Sequence, residues 1–163
     1  MRIIDEVDLK ILALLQENAR VTQADIAKSV GLAPSAVLER MRKLEAKGVI
    51  RGYIAAIDPH VAELPLLAFV SVRTSEYGPE QPSAQALAAI PEVLEVHHVA
   101  GDDCYLLKIR ARDAEHLGQL LRQQIAAVPH VTSTRTTIVL GTSKETMRIP
   151  LDRSTERPLR TAS

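Results

Sequence analysis

The sequence predicts an α+β protein: an N-terminal winged-type helix-turn-helix domain followed by a C-terminal βαββαβ domain with a ferredoxin-like sandwich architecture. Two observations predict this division. Residues 22–51 contain two short amphipathic patterns on either side of a glycine, whereas residues 66–140 alternate β-prone runs with two helical patterns. The expected domain limits are 1–52 for the helix-turn-helix, 53–62 for a hinge strand, 63–150 for the second domain and 151–163 for a disordered tail.

The helix-turn-helix is predicted by capping residues as much as by apolar spacing. Thr22 precedes Asp25 by three residues, which is the spacing of an N-cap with an acidic partner in the first helical turn. Gly31 suits the left-handed conformation that ends a helix, and Pro34 suits the first turn of the next helix. A further helix over 5–18 completes a three-helix unit and is expected to pack behind this pair.

The second helix of the pair has one apolar face and one cationic face. Val37, Met41 and Leu44 fall on a side that can be buried. The opposite side begins with the small residues Ser35 and Ala36, which allow a helix to approach base edges in the major groove. A solvated charged face would have the same spacing. The predicted DNA-contacting residues are Gln23, Pro34, Ser35, Ala36, Glu39, Arg40, Arg42, Lys43 and Lys47.

Charge and cysteine content limit the possible classes of protein. The 163 residues carry 20 Lys and Arg against 20 Asp and Glu, so the net charge does not by itself indicate a nucleic-acid partner. Residues 40–51, however, hold five basic side chains and one acidic side chain, which places positive charge on the second helix and its exit. The single cysteine excludes an internal disulfide framework, and no apolar run has the length of a membrane span. We therefore expect a cytoplasmic protein.

The second domain is predicted from the order of its patterns. Four β-prone runs begin at Leu66, Val93, Tyr105 and Val131, and a helical pattern precedes the second and the fourth. This order folds into a four-stranded antiparallel sheet with two helices on one face. The other face must also be covered, and a second copy of the chain is the simplest cover, so we expect an obligate homodimer.

Several short stretches follow one another in a fixed order along the chain: Asp8-Leu-Lys-Ile-Leu, Gly31-Leu-Ala-Pro-Ser, Leu38-Glu-Arg-Met-Arg-Lys-Leu-Glu, Gly48-Val-Ile-Arg-Gly-Tyr, Asp58-Pro, Gly101-Asp-Asp-Cys-Tyr-Leu-Leu and Thr134-Arg-Thr. In this order and spacing the chain resembles the Lrp/AsnC family, the feast/famine transcriptional regulators. The resemblance implies a sequence-specific regulator that binds double-stranded DNA and senses an amino acid through an effector-binding RAM domain. It also implies dimers that assemble into octamers. We expect no enzymatic activity, cofactor, metal site or membrane partner.

Two departures from the family pattern bear on these expectations. Ala33 stands where the family usually has Ser at the N-cap of the recognition helix, a loss of roughly 0.5–2 kcal/mol of local stability for which Ser35 could compensate. Cys104 replaces the second aspartate of the family's Gly-Asp-x-Asp-Tyr turn, which lies at the effector pocket of relatives. The resemblance places the effector site at Gly101, Asp102, Asp103, Cys104, Tyr105, Thr134, Thr136 and Ile138.

Within this set, Asp102 or Asp103 is expected to receive the ammonium group of a small amino acid, since adjacent acids need a cationic partner. Cys104 then favours a ligand unlike that of aspartate-bearing relatives. An ordinary hairpin turn and strand packing would use the same residue types.

Two other functions remain open. Some haem-biosynthesis decarboxylases are similar to this family in fold, which leaves a siroheme-decarboxylase-like enzyme possible, and an architectural protein could wrap DNA without ligand control. The sequence has no phosphate-binding glycine loop, no Cys/His metal spacing and no nucleophile elbow. His97 and His98 are neighbours on a predicted strand and so point to opposite faces, which prevents them from binding one metal ion together.

Overall fold

The computed structural model describes residues 4–76, 81–101 and 103–151. These residues form two compact units. One contains the described parts of Met1–Ala56 and Glu145–Ser163, and the other is Ile57–Lys144. The predicted fold class is confirmed, with helix-turn-helix and βαββαβ parts in that order. Asp102 and, apart from Leu151, the predicted disordered tail lie outside the described residues.

The first unit contains three helices, α1 (Glu6–Glu17), α2 (Gln23–Val30) and α3 (Pro34–Ala46). The start of α1 is fixed by a reciprocal capping box. The Asp5 side chain accepts a hydrogen bond from the Asp8 backbone N–H at 2.8 Å, while the Asp8 side chain accepts one from the Asp5 backbone N–H at 3.3 Å. Two otherwise unpaired N–H groups are thereby satisfied.

The predicted caps of the helix-turn-helix are confirmed. The Thr22 side chain accepts a hydrogen bond from the Asp25 backbone N–H, and Gly31 ends α2 in the left-handed conformation with φ of +71°. The three helices enclose a small core of Ile11, Leu15, Ile26, Ala27 and Val37. Polar contacts at the start of α1 add to this small core, since Arg40 of α3 donates to Asp5 and Asp8.

Ala33 occupies the N-cap of α3 with extended backbone angles, φ −72° and ψ 147°, and provides no side-chain acceptor. The expectation that Ser35 would compensate is wrong. Ser35 lies inside the first turn of α3, and no hydrogen bond to the cap comes from it within the described part of the chain.

The predicted hinge strand over 53–62 is not a strand in this structure. Residues 51–58 have no regular secondary structure, and residues 59–63 form a turn. Tyr53 donates a side-chain hydrogen bond to Glu45 at 2.9 Å. A β-prone sequence becomes a strand only where a second strand pairs with it, and within the described residues none lies beside this segment.

The second unit contains four strands and two helices. The strands are β1 (Leu66–Thr74), β2 (Val93–His98), β3 (Tyr105–Ala111) and β4 (Val131–Ile138), and they form one antiparallel sheet in the order β2-β3-β1-β4. The helices are α4 (Pro82–Ala88) and α5 (Ala114–Leu120), and a π-helical turn over Leu121–Ile125 extends α5. The sequence predicted one continuous helix over this last stretch.

Strand register decides which residues face the helices. In β1, Ala68, Val70 and Val72 are fully buried, and they pair with Ile109, Leu107 and Tyr105 of β3. Directly paired residues share a face of the sheet, so these six side chains form the centre of one core. Leu87, Leu117, Leu120 and Ile125 cover it from the helices and the π-helical turn. Among the described residues of Ile57–Lys144, no helix covers the other face.

The C-terminal segment returns to the first unit. The side-chain amide of Gln16 donates to the Ile149 carbonyl at 3.0 Å and accepts from the Ile149 N–H at 2.7 Å. Arg148 donates to the Glu17 carboxylate at 2.8 Å. The predicted boundary at 150 therefore differs from the structure, because the end of α1 supplies the partners of this segment. None of the described helices has the length and apolar composition needed to cross a membrane.

We expect Ala33→Ser to stabilise the start of α3. The backbone of residue 33 already has N-cap geometry, so a hydroxyl there can accept a first-turn N–H and add about 0.5–2 kcal/mol. Slower hydrogen exchange at the first-turn amides of α3 would measure this gain in the full chain. Ser35→Ala is the control and should change the free energy of unfolding by less than about 0.5 kcal/mol. Unchanged exchange in Ala33→Ser would contradict the capping argument.

Candidate functional site

The outward face of α3 is the first candidate site. Of the predicted contact residues, Gln23, Pro34, Ser35, Glu39, Arg42, Lys43 and Lys47 are exposed, whereas Ala36 and Arg40 are half-buried. Because the Gly31 turn and the three-helix core hold α2 and α3 together, this face is presented as one surface. Its small residues lie at the N-terminal end of α3 and its cations lie one to three turns further on.

Arg40 differs from the other cations of α3. Its Nη1 donates to Asp5 Oδ2 at 2.7 Å and to Asp8 Oδ1 at 2.8 Å. The backbone hydrogen bond from Asp8 and the Arg40 guanidinium hold the pKa of Asp5 below its ordinary value. The two carboxylates in turn raise the pKa of Arg40. The structure thus brings Arg40 together with α1, a contact that the sequence analysis missed.

The remaining cations of α3 are held more loosely. Lys43 contacts Glu39 of the same helix at 2.6 Å, and both side chains are about two-thirds exposed. This hydrogen bond, together with the charge of Lys43, holds the pKa of Glu39 below its ordinary value. Exposed pairs one helical turn apart contribute little stability. Arg42 and Lys47 form no ion pair within the described residues.

The turn before β3 is the second candidate site, and its described aspartate, Asp103, is already paired. Asp103 Oδ2 accepts a hydrogen bond from Arg135 Nη2 at 2.7 Å, and Asp103 Oδ1 lies 4.0 Å from Arg73 Nη2. Gly101 has φ of +134°, and a side chain added there would meet no atom within 4 Å. The cationic partner expected for the acids of this turn is therefore present for Asp103 within the same chain.

Tyr105 lies on the opposite face of the sheet, in a polar cluster of its own. Its hydroxyl donates to Glu76 Oε1 at 2.8 Å, while Ser83 Oγ donates to Glu76 Oε2 at 2.9 Å. Burial alone would raise the pKa of Glu76, but the hydrogen bonds from Tyr105 and Ser83 hold it below the ordinary value. Burial and the bond to Glu76 raise the pKa of Tyr105 to about 12.

The predicted effector residues are divided between the two faces of the sheet. Thr134, Thr136 and Ile138 pair with Val72, Val70 and Ala68, so they lie on the helix-covered side of β4. Arg135 pairs with Ser71 and lies on the open side, where it reaches Asp103. A single subunit therefore does not gather the whole set around one point.

Cys104 is half-buried beside the end of β1. The Thr74 N–H lies 3.5 Å from its Sγ, and the thiol lies 3.7 Å from the Thr74 carbonyl. Its backbone N–H donates to the Val72 carbonyl at 2.9 Å. Cys104 is therefore a small side chain that packs against the end of β1.

The two neighbouring histidines point to opposite faces, as predicted. His97 contacts Glu95 at 2.9 Å on the open face, whereas the His98 ring lies 5.4 Å from the Tyr105 ring on the other. Among the described residues, no group of three or more His, Cys, Asp or Glu side chains is arranged to hold a metal ion.

Sequence reasoning missed two sets of residues, and one of them left a signal. Asp5 and Asp8 have capping-box spacing, which marks Asp8 as more than a surface acid. Arg73 and Arg135 lie on predicted strands, but their meeting with Asp103 depends on a strand register that no local pattern reveals.

Two family profiles match the chain. The winged helix-turn-helix DNA-binding profile matches residues 4–51, and the Lrp/AsnC ligand binding domain profile matches residues 67–149. An HTH-type transcriptional regulator of Pyrococcus horikoshii is 40% identical over 148 residues, which cover 91% of this chain and 97% of the relative. The leucine-responsive regulatory protein of Escherichia coli is 36% identical over 148 residues, which cover 90% of each chain.

Solved structures agree with these matches. A transcriptional regulator from Neisseria meningitidis in complex with L-Met superposes with a TM-score of 0.85 at 30% identity, covering 93% of this chain and 99% of that one. A feast or famine regulatory protein from M. tuberculosis complexed with L-methionine superposes with a TM-score of 0.82 at 34% identity, covering 89% and 97%.

We expect Glu76→Gln to lower the stability of the second unit near neutral pH and to flatten its acid dependence. The pKa of Glu76 is lowered in the folded state, so its stabilisation is full above the ordinary value of 4.5 and is lost as the pH falls through the folded-state value. Thermal unfolding from pH 7 to pH 3 measures this, with a loss of about 1–3 kcal/mol expected at pH 7. The exposed Glu63→Gln is the control. Equal acid dependence in Glu76→Gln and wild type would contradict the assignment.

Proposed function

Because this chain belongs to the Lrp/AsnC family of DNA-binding transcriptional regulators, we propose how its surfaces divide that work. The exposed face of α3 reads duplex DNA, while the second unit binds an amino-acid effector and a second copy of the chain. The exposed cationic face of α3 is the observation that carries the proposal. We propose that the protein acts in the cytoplasm, where a regulator of this family would meet its DNA.

The proposed DNA face combines base-edge contacts and phosphate contacts. Ser35 and Ala36 lie in the first turn of α3, where short side chains let the helix enter the major groove and Ala36 can touch a thymine methyl. Arg42, Lys43 and Lys47 lie further along α3 and carry charge suited to phosphates. Gln23, Pro34 and Glu39 complete the face, and Arg40 has its own role, argued below.

Assembly into a homodimer, and from there into an octamer, is part of the proposal. The segment from Tyr53 to Val61 exposes large apolar side chains: Tyr53 is 47% exposed, Ile54 74%, Ile57 68% and Val61 79%. Large apolar side chains with this much exposure favour contact with another chain. A two-fold dimer would present two copies of α3 to a symmetric DNA site.

The effector is proposed to be an amino acid bound beside the turn before β3. Two structurally similar regulators were solved with L-methionine. In this chain the ammonium of such a ligand would compete with Arg135 for Asp103, or would use Asp102. Because the proposed residues occupy both faces of the sheet, we propose that a second subunit completes the pocket.

We propose no catalytic activity for the chain. The relatives named above are transcriptional regulators. A siroheme decarboxylase on this fold would not need the cationic outward face that α3 carries. We therefore expect the chain not to bind siroheme, and titration with siroheme should give no Soret absorbance from a complex. An architectural DNA-wrapping protein would bind DNA equally well with and without an amino acid, which separates wrapping from regulation.

Lys47→Gln should weaken DNA binding to all sequences alike and lower the salt slope. Loss of one phosphate contact reduces the magnitude of the slope of log K against log salt concentration by about 0.9. The site is first selected from random duplexes, and its half-sites should lie about 34–36 Å apart or a multiple of this. Lys10→Gln, an exposed charge change on α1, is the matched control. Equal slopes for Lys47→Gln and Lys10→Gln would place the DNA face elsewhere.

One of the twenty amino acids should raise the melting temperature of the full chain. A ligand that binds only the folded state adds about 2.7 kcal/mol at one hundred times its dissociation constant. In calorimetry, Asp102→Asn or Asp103→Asn should weaken that ligand, and Cys104→Asp should alter the preferred amino acid. Arg135→Gln, which releases Asp103 from its partner, should bind at least as tightly as wild type. Unaltered binding in all four variants would place the effector at another site.

A further inference from the structure

Arg40 joins the recognition helix to the start of α1. A single nitrogen, Nη1, donates to Asp5 Oδ2 at 2.7 Å and to Asp8 Oδ1 at 2.8 Å. The Asp8 side chain is 13% exposed and the Arg40 side chain 33% exposed, so this contact is partly shielded from water. We refer to Asp5, Asp8 and Arg40 as the clamp.

The carboxylates of the clamp are held in place before Arg40 reaches them. Each aspartate accepts a hydrogen bond from the backbone N–H of the other, so neither side chain is free to rotate away. Charge-assisted hydrogen bonds to such fixed acceptors are short and directional. The pair Lys43–Glu39 is different, because both residues lie on α3 and their contact does not restrain α3 against another helix.

The clamp also determines the charge beside the proposed DNA face. An open groove of about 670 Å³ runs between the start of α1 and α3, and its lining includes Asp5, Asp8, Ala36, Lys43 and Lys47. Two unpaired carboxylates in this groove would repel phosphates that approach α3. Arg40 neutralises them from the α3 side.

We propose that Arg40 is a positioning residue for DNA recognition: it fixes α3 against α1 and neutralises Asp5 and Asp8, while other residues of α3 contact the DNA. The proposal rests on the proposed function. It assigns Asp5 and Asp8 to DNA recognition although both are acidic and neither lies on α3.

The sign of the effect of Asp8→Asn tests the proposal. Removing an acid near DNA normally strengthens binding, but loss of the clamp should weaken binding to the selected site by about tenfold or more, the ratio that corresponds to one charged hydrogen bond. Glu6→Gln removes an exposed acid from the first turn of α1 without touching the clamp, and it should bind as tightly as wild type or more tightly. Arg40→Gln should weaken binding with a smaller loss of salt slope than Lys47→Gln shows.

Coupling between the two clamp positions provides a second readout that does not require DNA. Arg40→Gln and Asp8→Asn should each lower the melting temperature, and the double variant should be no less stable than Arg40→Gln alone, because both single changes remove one interaction. The same non-additivity is expected in affinity for the selected site. DNA affinity is measured at temperatures where circular dichroism shows every variant to be folded.

Two results would overturn the role of Arg40 while leaving DNA binding intact: tighter or unchanged binding in Asp8→Asn, or a salt slope in Arg40→Gln reduced as far as in Lys47→Gln. The second result would make Arg40 a phosphate contact. A wild-type protein that selects no duplex site would overturn both the proposed function and this role. These failures are distinguishable because only the last one affects the wild type.

Discussion

Two short helices can cover only one face of a four-stranded sheet, and the second unit is arranged around that limit. β1 and β3 occupy the centre, and the middle of their inward face is formed by aliphatic side chains and Tyr105, which are completely or almost completely buried. Burial of this face supplies most of the apolar stabilisation of the unit. No helix within the described part of the unit covers the opposite face, and the composition of that face is correspondingly polar.

The open face is occupied by paired charges and polar groups, mixed with buried and half-buried apolar residues. Asp103 lies between Arg135 and Arg73, and Glu95 contacts both His97 and Lys108. Such pairs allow the uncovered face of the sheet to remain in contact with water. They also limit the desolvation free energy that another surface would have to offset on contact, since each of these charges already has a partner. A ligand that uses Asp103 must replace a cation that is already present, so affinity at that turn depends on the arginines as well as on the acid.

The first unit has a smaller apolar core than the second, and polar contacts at the helix ends add to it. The capping box at Asp5 and Asp8 fixes the start of α1, and Arg40 ties α3 to it. At its other end α1 accepts the C-terminal segment through Gln16 and Glu17. Both ends of α1 therefore take part in contacts that are distant in sequence.

The sequence by itself determined the helices, the four strands of the second unit and the alternation of β3, because caps, turns and apolar periods join residues only a few positions apart. Thr22, Gly31 and Pro34 act through such local rules. Contacts between distant residues were decided only by the tertiary structure. Arg40 reaches Asp5 across 35 positions, and Arg135 reaches Asp103 across 32. The same holds for the segment after Val49, which has β propensity but no partner strand in the described chain. Ladder pairing and ion pairing need a second element at a fixed distance and register, and only the folded chain supplies that element.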